Sequence, residues 1–427
     1  MSDTPAEAAP APGVLAPGVP APEASAAPAT APGGRTERLP DRLRTPRTYA
    51  VLIGSLLLLV LPFYLDRFWL QAGLFAMAAA IGAIGLNMLT GATGQLSMGH
   101  AFFLAVGAYG YCVLAGESST ENGHTLTGLG LPTWLAAILA VLLAGAAGGL
   151  FSPIAGRLRG AYLGIATLAL IFIGQHVLFN AGSLTGGYNG RAVPPLSLFG
   201  FTFDDTEVVF AAVPFGSSEK LWYVGLAALL LSALFARGVL RGRPGRAMNA
   251  IRDHRIAAGV MGVPVARYRA GVFVLSSMYA GLAGVLLALV FQRTVPEYFG
   301  MILSLEYLAM IVIGGLGSVA GAAIGAAFVT LLPQVFTHYS DSLPLVSAPG
   351  TGGLAPGEAS RYLYGAAVVA VVLFLPGGLA RLGLARAKKP AAPKGPKGPK
   401  ATKQSAVPAR SAVPKQSEAP KNQGEKS

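Results

Sequence analysis

The segment Leu86–Phe103, LNMLTGATGQLSMGHAFF, places Asn87, Thr90, Thr93, Gln95, Ser97 and His100 among glycines 91, 94 and 99, between two apolar runs. Two amides, three hydroxyls and an imidazole can bind a polar solute, relay a proton or help hold a metal. Neither His100 nor His176 has a second His, Cys or carboxylate at ligand spacing, so no metal site is expected. Serines, histidines and carboxylates are scattered, so no catalytic constellation is expected either. What remains is a polar lining. Irregular or polar backbone at membrane depth is tolerated only against protein or a water-filled cavity. Asn87, Thr90, Gln95, Ser97 and His100 are therefore expected at the inner end of a path, as lining or gate, against the plainer reading of a structural hairpin. TGATGQ is expected to form the turn itself.

Three further stretches carry chemistry. Residues 241–269, RGRPGRAMNAIRDHRIAAGVMGVPVARYR, hold a helix expected over 246–261, with Ala247, Ala250, Ile251, Ala257, Ala258 and Met261 as its apolar face. Gly262 and Pro264 should end it, and Arg252 and Asp253 lie on it. It reads equally as a connector or as a helix that docks into a partner's groove. SLTGGYNGRAVPP, residues 183–195, reads as a turn in which Gly186, Gly187 and Asn189-Gly190 supply positive-φ positions, or as an outer gate or docking surface formed by Thr185, Gly186, Gly187 and Asn189. Asp204, Asp205, Glu207 and Glu219 make the following loop slightly acidic. Glu306 opens an apolar stretch, where solvation or pairing with Arg293 is the leading expectation over a functional role. Gln175 and His176 are expected either to face the path or to bond between helices.

The elements that must position these residues are membrane helices. Of 427 residues, 53% are hydrophobic and 12% charged, about half the charge of a soluble domain. Apolar runs of about 20 residues recur, the length that crosses a hydrocarbon core. Glycine numbers 56, about twice its usual share of roughly 7%, as suits helices packed closely in lipid. The expected fold is all-α and polytopic, with about ten spans at 49–65, 69–89, 96–115, 133–152, 161–180, 220–237, 270–291, 304–317, 319–336 and 361–379. Residues 1–48 form an Ala/Pro-rich tail and residues 381–427 a Lys/Pro-rich tail, both expected to be disordered; residues 49–380 are the membrane domain. No leader peptide is expected, because the first apolar run starts late.

Ten spans put both termini on one side. If that side is the cytoplasm, 27 of the 32 Lys and Arg lie inside, as the positive-inside rule requires. The net charge of +13 then points to anionic lipid and not to nucleic acid. The single cysteine, Cys112, permits no internal disulfide. No G-x-x-x-x-G-K-[ST] loop is present, so ATP chemistry would belong to another chain.

Ile256-Ala257-Ala258-Gly259-Val260-Met261-Gly262 resembles the coupling motif of ATP-binding cassette importer permeases, with Ala257, Ala258 and Gly262 matching and Ile256 standing where the motif has Glu. The wider context resembles one family, the branched-chain amino acid permeases, through GLNMLTGATGQLSMGHAFFLAVGAY (85–109), GAYLGIATLAL (160–170), SLTGGYNG (183–190), LEYLAMIVIGGLGSVAGAAIGA (305–326) and LYGAAVVAVVLFLPGGL (363–379). The resemblance covers residues 49–380. It implies a transport subunit of a prokaryotic plasma membrane, without catalysis or cofactor of its own. It further implies a second, related permease, two cytoplasmic ATP-binding subunits docked on the coupling loops, and an extracytoplasmic binding protein. Urea or short amides are the alternative substrates. An ion-coupled secondary transporter is a weaker alternative, since the spans lack a mid-membrane acidic relay. A membrane scaffold would leave the polar interruptions unexplained.

Overall fold

The computed structural model describes residues 54–121, 124–158, 160–198, 200–203, 208–210, 213–339, 356–375 and 378–379. The two tails, and Asp204, Asp205 and Glu207, lie outside the described residues. Residues 54–58 are helical and belong to one unit, and the chain from Leu59 onward forms another.

Among the described residues, six helices are long and apolar enough to cross a membrane: α1 (Arg67–Thr93), α3 (Thr133–Arg157), α4 (Ala161–Asn180), α5 (Ser217–Arg241), α8 (Val265–Phe291) and α10 (Val319–His338). Shorter apolar helices are Gly54–Phe63, α2 (His100–Ala115), α9 (Met301–Gly314) and the Arg361–Val371 part of α11 (Pro356–Phe374). Two short helices, α6 (Arg243–Asp253) and α7 (Arg255–Val260), fill the loop between α5 and α8.

A helix apolar on every side is buried on every side, and two helices show this. The most apolar stretches of α1 and α8 are 89% and 78% buried, against 22–33% for the other four long helices. α1, α8 and the shorter α2, which has no exposed large apolar side chain, form the centre, and the other four long helices present large apolar side chains outward. Small residues allow the close approach. A Cβ on Gly281 of α8 would meet the Ala144 side chain of α3, and one on Gly107 of α2 would strike the Gly281 backbone. Without a hydrophobic drive between helices in lipid, such backbone proximity is what gives packing energy.

The connections collect at two ends of this bundle. At one, Arg252 on α6 donates to Gly91 O, Arg269 to Gly156 O, and Asn87 bonds the 315–318 turn. At the other, Arg191 donates to Thr127 O and Leu184 O, Tyr109 to Thr294 O, and Arg293 to Asn189 O. Successive helices therefore alternate in direction. The all-α expectation holds for the bundle; short antiparallel ribbons occur only in connections, such as Arg191–Ala192 paired with Arg293–Thr294.

Two expectations are corrected. The single helix over 246–261 is two helices, because His254 is extended (φ −152°, ψ 95°) and caps both. Its N–H closes α6 on Ala250 O, and its carbonyl accepts the Ala258 N–H of α7. Met248, Ile251 and Ala258 are the buried residues, while Ala250 and Met261 of the expected face are exposed. Second, TGATGQ is not all turn. α1 continues through Thr93, ends on Gly94 in the left-handed region, and leaves 94–99 as the non-helical link to α2.

Candidate functional site

In the link 94–99 only Gly94 N and Gln95 N bond back to α1, at Thr90 O and Leu89 O, yet Gln95, Ser97 and Gly99 are buried. Its backbone must find partners elsewhere. Thr90 Oγ1 donates to Gln95 O at 3.0 Å, and Met98 N donates to Thr167 Oγ1 on α4 at 2.9 Å. Gly99 N reaches Ser97 Oγ at 3.4 Å. Gln95 Nε2 donates to Thr93 Oγ1 at 3.0 Å and to Arg269 O at 3.4 Å, while its Oε1 is buried and unpartnered. Ala101 N, in the first turn of α2, donates to Ser304 Oγ on α9.

A second broken element meets the first. Between α9 and α10 the chain turns at 315–318, and Asn87 holds that turn with both ends of its amide. Nδ2 donates to Ser318 O and Gly317 N donates to Oδ1, each at 2.8 Å. A Cβ on Gly91 would stand 2.5 Å from Gly317 N, so the two breaks abut. One turn deeper, His100 Nε2 contacts Gly82 O at 3.0 Å and its ring packs on Tyr307, 5.0 Å between centroids. The buried Tyr307 hydroxyl has no hydrogen-bond partner.

The structure thus gathers all five residues of the expected inner lining around one junction. Asn87, Gln95, Ser97 and His100 are each 3% exposed or less. Most of their polar atoms meet protein backbone, the exceptions being Gln95 Nε2 on Thr93 Oγ1 and the unpartnered Gln95 Oε1. As described, the junction is a closed plug.

The loop expected to dock reaches this plug directly. Arg252 Nη1 donates to Gly91 O at 2.6 Å, and its stem passes 3.7 Å from the position of a Cβ on Gly94. The carbonyl it takes lies in the last turn of α1, where helix carbonyls lack intrahelical donors and a cation is favoured. Asp253 is exposed beside it. Beyond His254, Ala258 is buried, whereas Ile256, Val260 and Met261 are 75%, 84% and 85% exposed. Gly262 (φ 82°) then closes the helix, with Val263 N bonding Ala258 O across it, a Schellman ending. Ala257 is exposed. A short helix is left with three large apolar side chains outward and one small residue inward.

At the opposite end, Thr185 is buried; its hydroxyl donates to Leu178 O and accepts from Gly187 N. Gly186, Gly187 and Gly190 have positive φ, as the turn reading expects, and Asn189 does not. Asn189 is exposed, and its carbonyl accepts from Arg293. The loop is thereby tied to the strand after α8. His176 is exposed and bonds Asn180 on its own helix.

Sequence reasoning missed the cations that join these parts. Arg269 caps the end of α3 through Ala155, Gly156 and Leu158 carbonyls, and Arg191 ties two outer loops. Neither has a motif. The available signal was an arginine near glycine-rich helix ends, which also fits an ordinary flanking charge.

Residues 70–372 match the family described as the branched-chain amino acid transport system permease component. The chain is 32% identical over 292 residues to the high-affinity branched-chain amino acid transport system permease protein LivM of Salmonella typhimurium, covering 66% of each chain. The LivM protein of Escherichia coli is 32% identical over 303 residues, covering 68% of this chain and 69% of that one. LivH of Escherichia coli is 28% identical over 270 residues, covering 61% of this chain and 82% of that one. The chain spans just under two thirds of the first relative's length, 66%.

Proposed function

The chain belongs to the branched-chain amino acid transport system permease family, and from that premise we propose that it is the membrane-spanning subunit of an ATP-driven importer of branched-chain amino acids. The relatives fall into two kinds, LivM and LivH. This supports a path formed by this chain and a second, related permease. Two cytoplasmic ATP-binding subunits and an extracytoplasmic binding protein complete the proposed assembly, and this chain carries no cofactor.

Residues 49–380 form the permease domain between the tails 1–48 and 381–427. Six long and four shorter apolar helices support ten spans with both termini in the cytoplasm of a prokaryote. The coupling-loop end then faces the ATPases, and the 183–195 loop, with Thr185, Gly186, Gly187 and Asn189, faces the binding protein.

The observation that carries the mechanism is the Arg252–Gly91 bond. α7 presents Ile256, Val260 and Met261 to a groove on the ATPase. Movement of that docked helix passes through α6 and Arg252 to the end of α1. There Asn87, Thr90, Gln95, Ser97 and His100 form the inner gate, closed in this state. Opening must break hydrogen bonds that are each worth roughly 1 kcal/mol net, within reach of ATP-driven closure of two subunits.

The test is ATP-dependent uptake of labelled leucine and labelled urea by the chain reconstituted with its co-purifying subunits. Leucine uptake that requires ATP is expected. Uptake by this chain alone on an ion gradient overturns the reading, and ATP-driven urea uptake without leucine uptake changes the substrate.

A further inference from the structure

Glu306 was expected at a membrane boundary. It stands five residues into α9, half-buried, on the wall of a partly open cavity of about 370 Å³ between α1, α8, α9 and α10. The cavity lies toward the outer-loop end, opposite the coupling loop: it is lined from the start of α1 and α9 and the end of α8 and α10. Among the described residues, Glu306 is the one acidic side chain away from the ends of an apolar helix, and no cation is paired with it. An ionisable group away from the ends of an apolar helix is costly and is a candidate for function.

The surroundings narrow the ligand. Thr330 and Gln334 line the same cavity from α10, and Thr330 Oγ1 is buried with no hydrogen-bond partner. Tyr307, also on the wall and 1% exposed, has an unpartnered hydroxyl. Buried polar groups are almost always satisfied, and each exception needs a reason. The remaining wall is apolar, built from Leu287, Leu303 and Phe291, whose ring stacks on Tyr298 at 4.5 Å. The volume is that of a small-molecule site, which typically spans roughly 300–1,000 Å³ with an apolar wall and a few placed polar groups.

We propose that this cavity is a solute site for a compound joining a primary ammonium group to a short branched apolar body. The ammonium lies against the Glu306 carboxylate with Thr330 and Gln334 beside it, and the apolar body lies against Phe291, Leu287 and Leu303. The ammonium end follows from Glu306 and the apolar end from the wall; that the body is branched, and the site's place on an import route, rest on the transport reading above.

The test uses the chain in complex with its partner permease and ATPase subunits, in nanodiscs without binding protein, and measures displacement of bound labelled leucine. Isopentylamine, which keeps the ammonium and the branched body, should compete within about tenfold of leucine, and 4-methylpentanoate, which lacks the ammonium, should not. Glu306→Gln should weaken leucine binding at least about tenfold and Glu306→Asp restore part of it. Thr330→Val should weaken it about threefold or more. Unchanged binding in Glu306→Gln, or equal competition by 4-methylpentanoate, overturns the proposal and identifies a lipid-type cavity. If Glu306→Gln fails to assemble, Leu303→Trp, which fills the cavity, decides: loss of leucine binding supports the site and unchanged binding overturns it. Glu306-dependent isopentylamine binding in a complex that imports no leucine keeps the site and overturns the transport reading. ATP-driven leucine uptake that Glu306→Gln leaves unaltered does the reverse.

Discussion

Arg252 Nη1 donates to the carbonyl oxygen of Gly91 at 2.6 Å, and so joins the loop between α5 and α8 to the last turn of α1. The donor lies on a half-exposed amphipathic helix and the acceptor abuts the Gly317 turn. One hydrogen bond thus couples a surface element to the meeting point of two broken helices. A charge-assisted bond of this kind contributes roughly 1.5–3 kcal/mol when shielded from water and less where, as at Arg252, the cation is exposed.

Removing that bond should separate hydrolysis from transport. Arg252→Ala is expected to retain ATPase binding and ATP turnover while leucine transported per ATP falls about tenfold, the effect of roughly 1.4 kcal/mol. Arg252→Lys, which keeps the charge and loses the fork geometry, should fall between. The measurement is the ratio of uptake to phosphate release in proteoliposomes, and an unaltered ratio rules out Arg252 as the link.

Asn87 should be worth more to stability than a typical membrane amide. Asn87→Leu strands Gly317 N–H and Ser318 C=O together, at a cost of about 1–3 kcal/mol for each unsatisfied group. Asn87→Asp keeps the acceptor for Gly317 and loses the donor to Ser318. Thermal unfolding in detergent should rank wild type above Asn87→Asp above Asn87→Leu; a Leu variant as stable as wild type contradicts the bracing role.

The docking surface is better tested at Met261 than at Ala258. Met261 is 85% exposed and Ala258 is 3% exposed. Met261→Asp should abolish co-purification of the ATPase subunits with the permease's own melting temperature unchanged. Ala258→Asp should lower that melting temperature instead, because a buried charge with no partner costs several kcal/mol. Equal behaviour of the two variants would contradict the assigned faces.

Gly281 fixes the spacing of α2, α3 and α8. Its added Cβ would meet Ala144 on one side, and Gly107 lies against its backbone on the other. Gly281→Val should destabilise the permease by about 1–3 kcal/mol or more through overpacking, read as loss of monodisperse protein on size exclusion. Gly271, with open space around its added Cβ, is the control: Gly271→Ala should be tolerated.

Much of this molecule follows from its sequence. Span length, glycine content and the Lys/Arg distribution specify a multi-span helical bundle, because hydrocarbon thickness and backbone satisfaction leave few other folds. The order of motifs also identified the family. Those signals are local or additive along the chain, so they survive without knowledge of contacts. The break at His254, the closed packing around Gln95 and the use of Arg252, Arg269 and Arg191 as ties between elements did not follow. The arginine ties and the contact of Gln95 with Arg269 depend on partners 64 or more residues away, and the break at His254 is a backbone conformation that its residue types do not announce. A side chain's type states what it can bond, not what the fold places beside it. Glu306 shows the difference most plainly. Its position along α9 marked a boundary, and only the packing of four helices around it made a cavity.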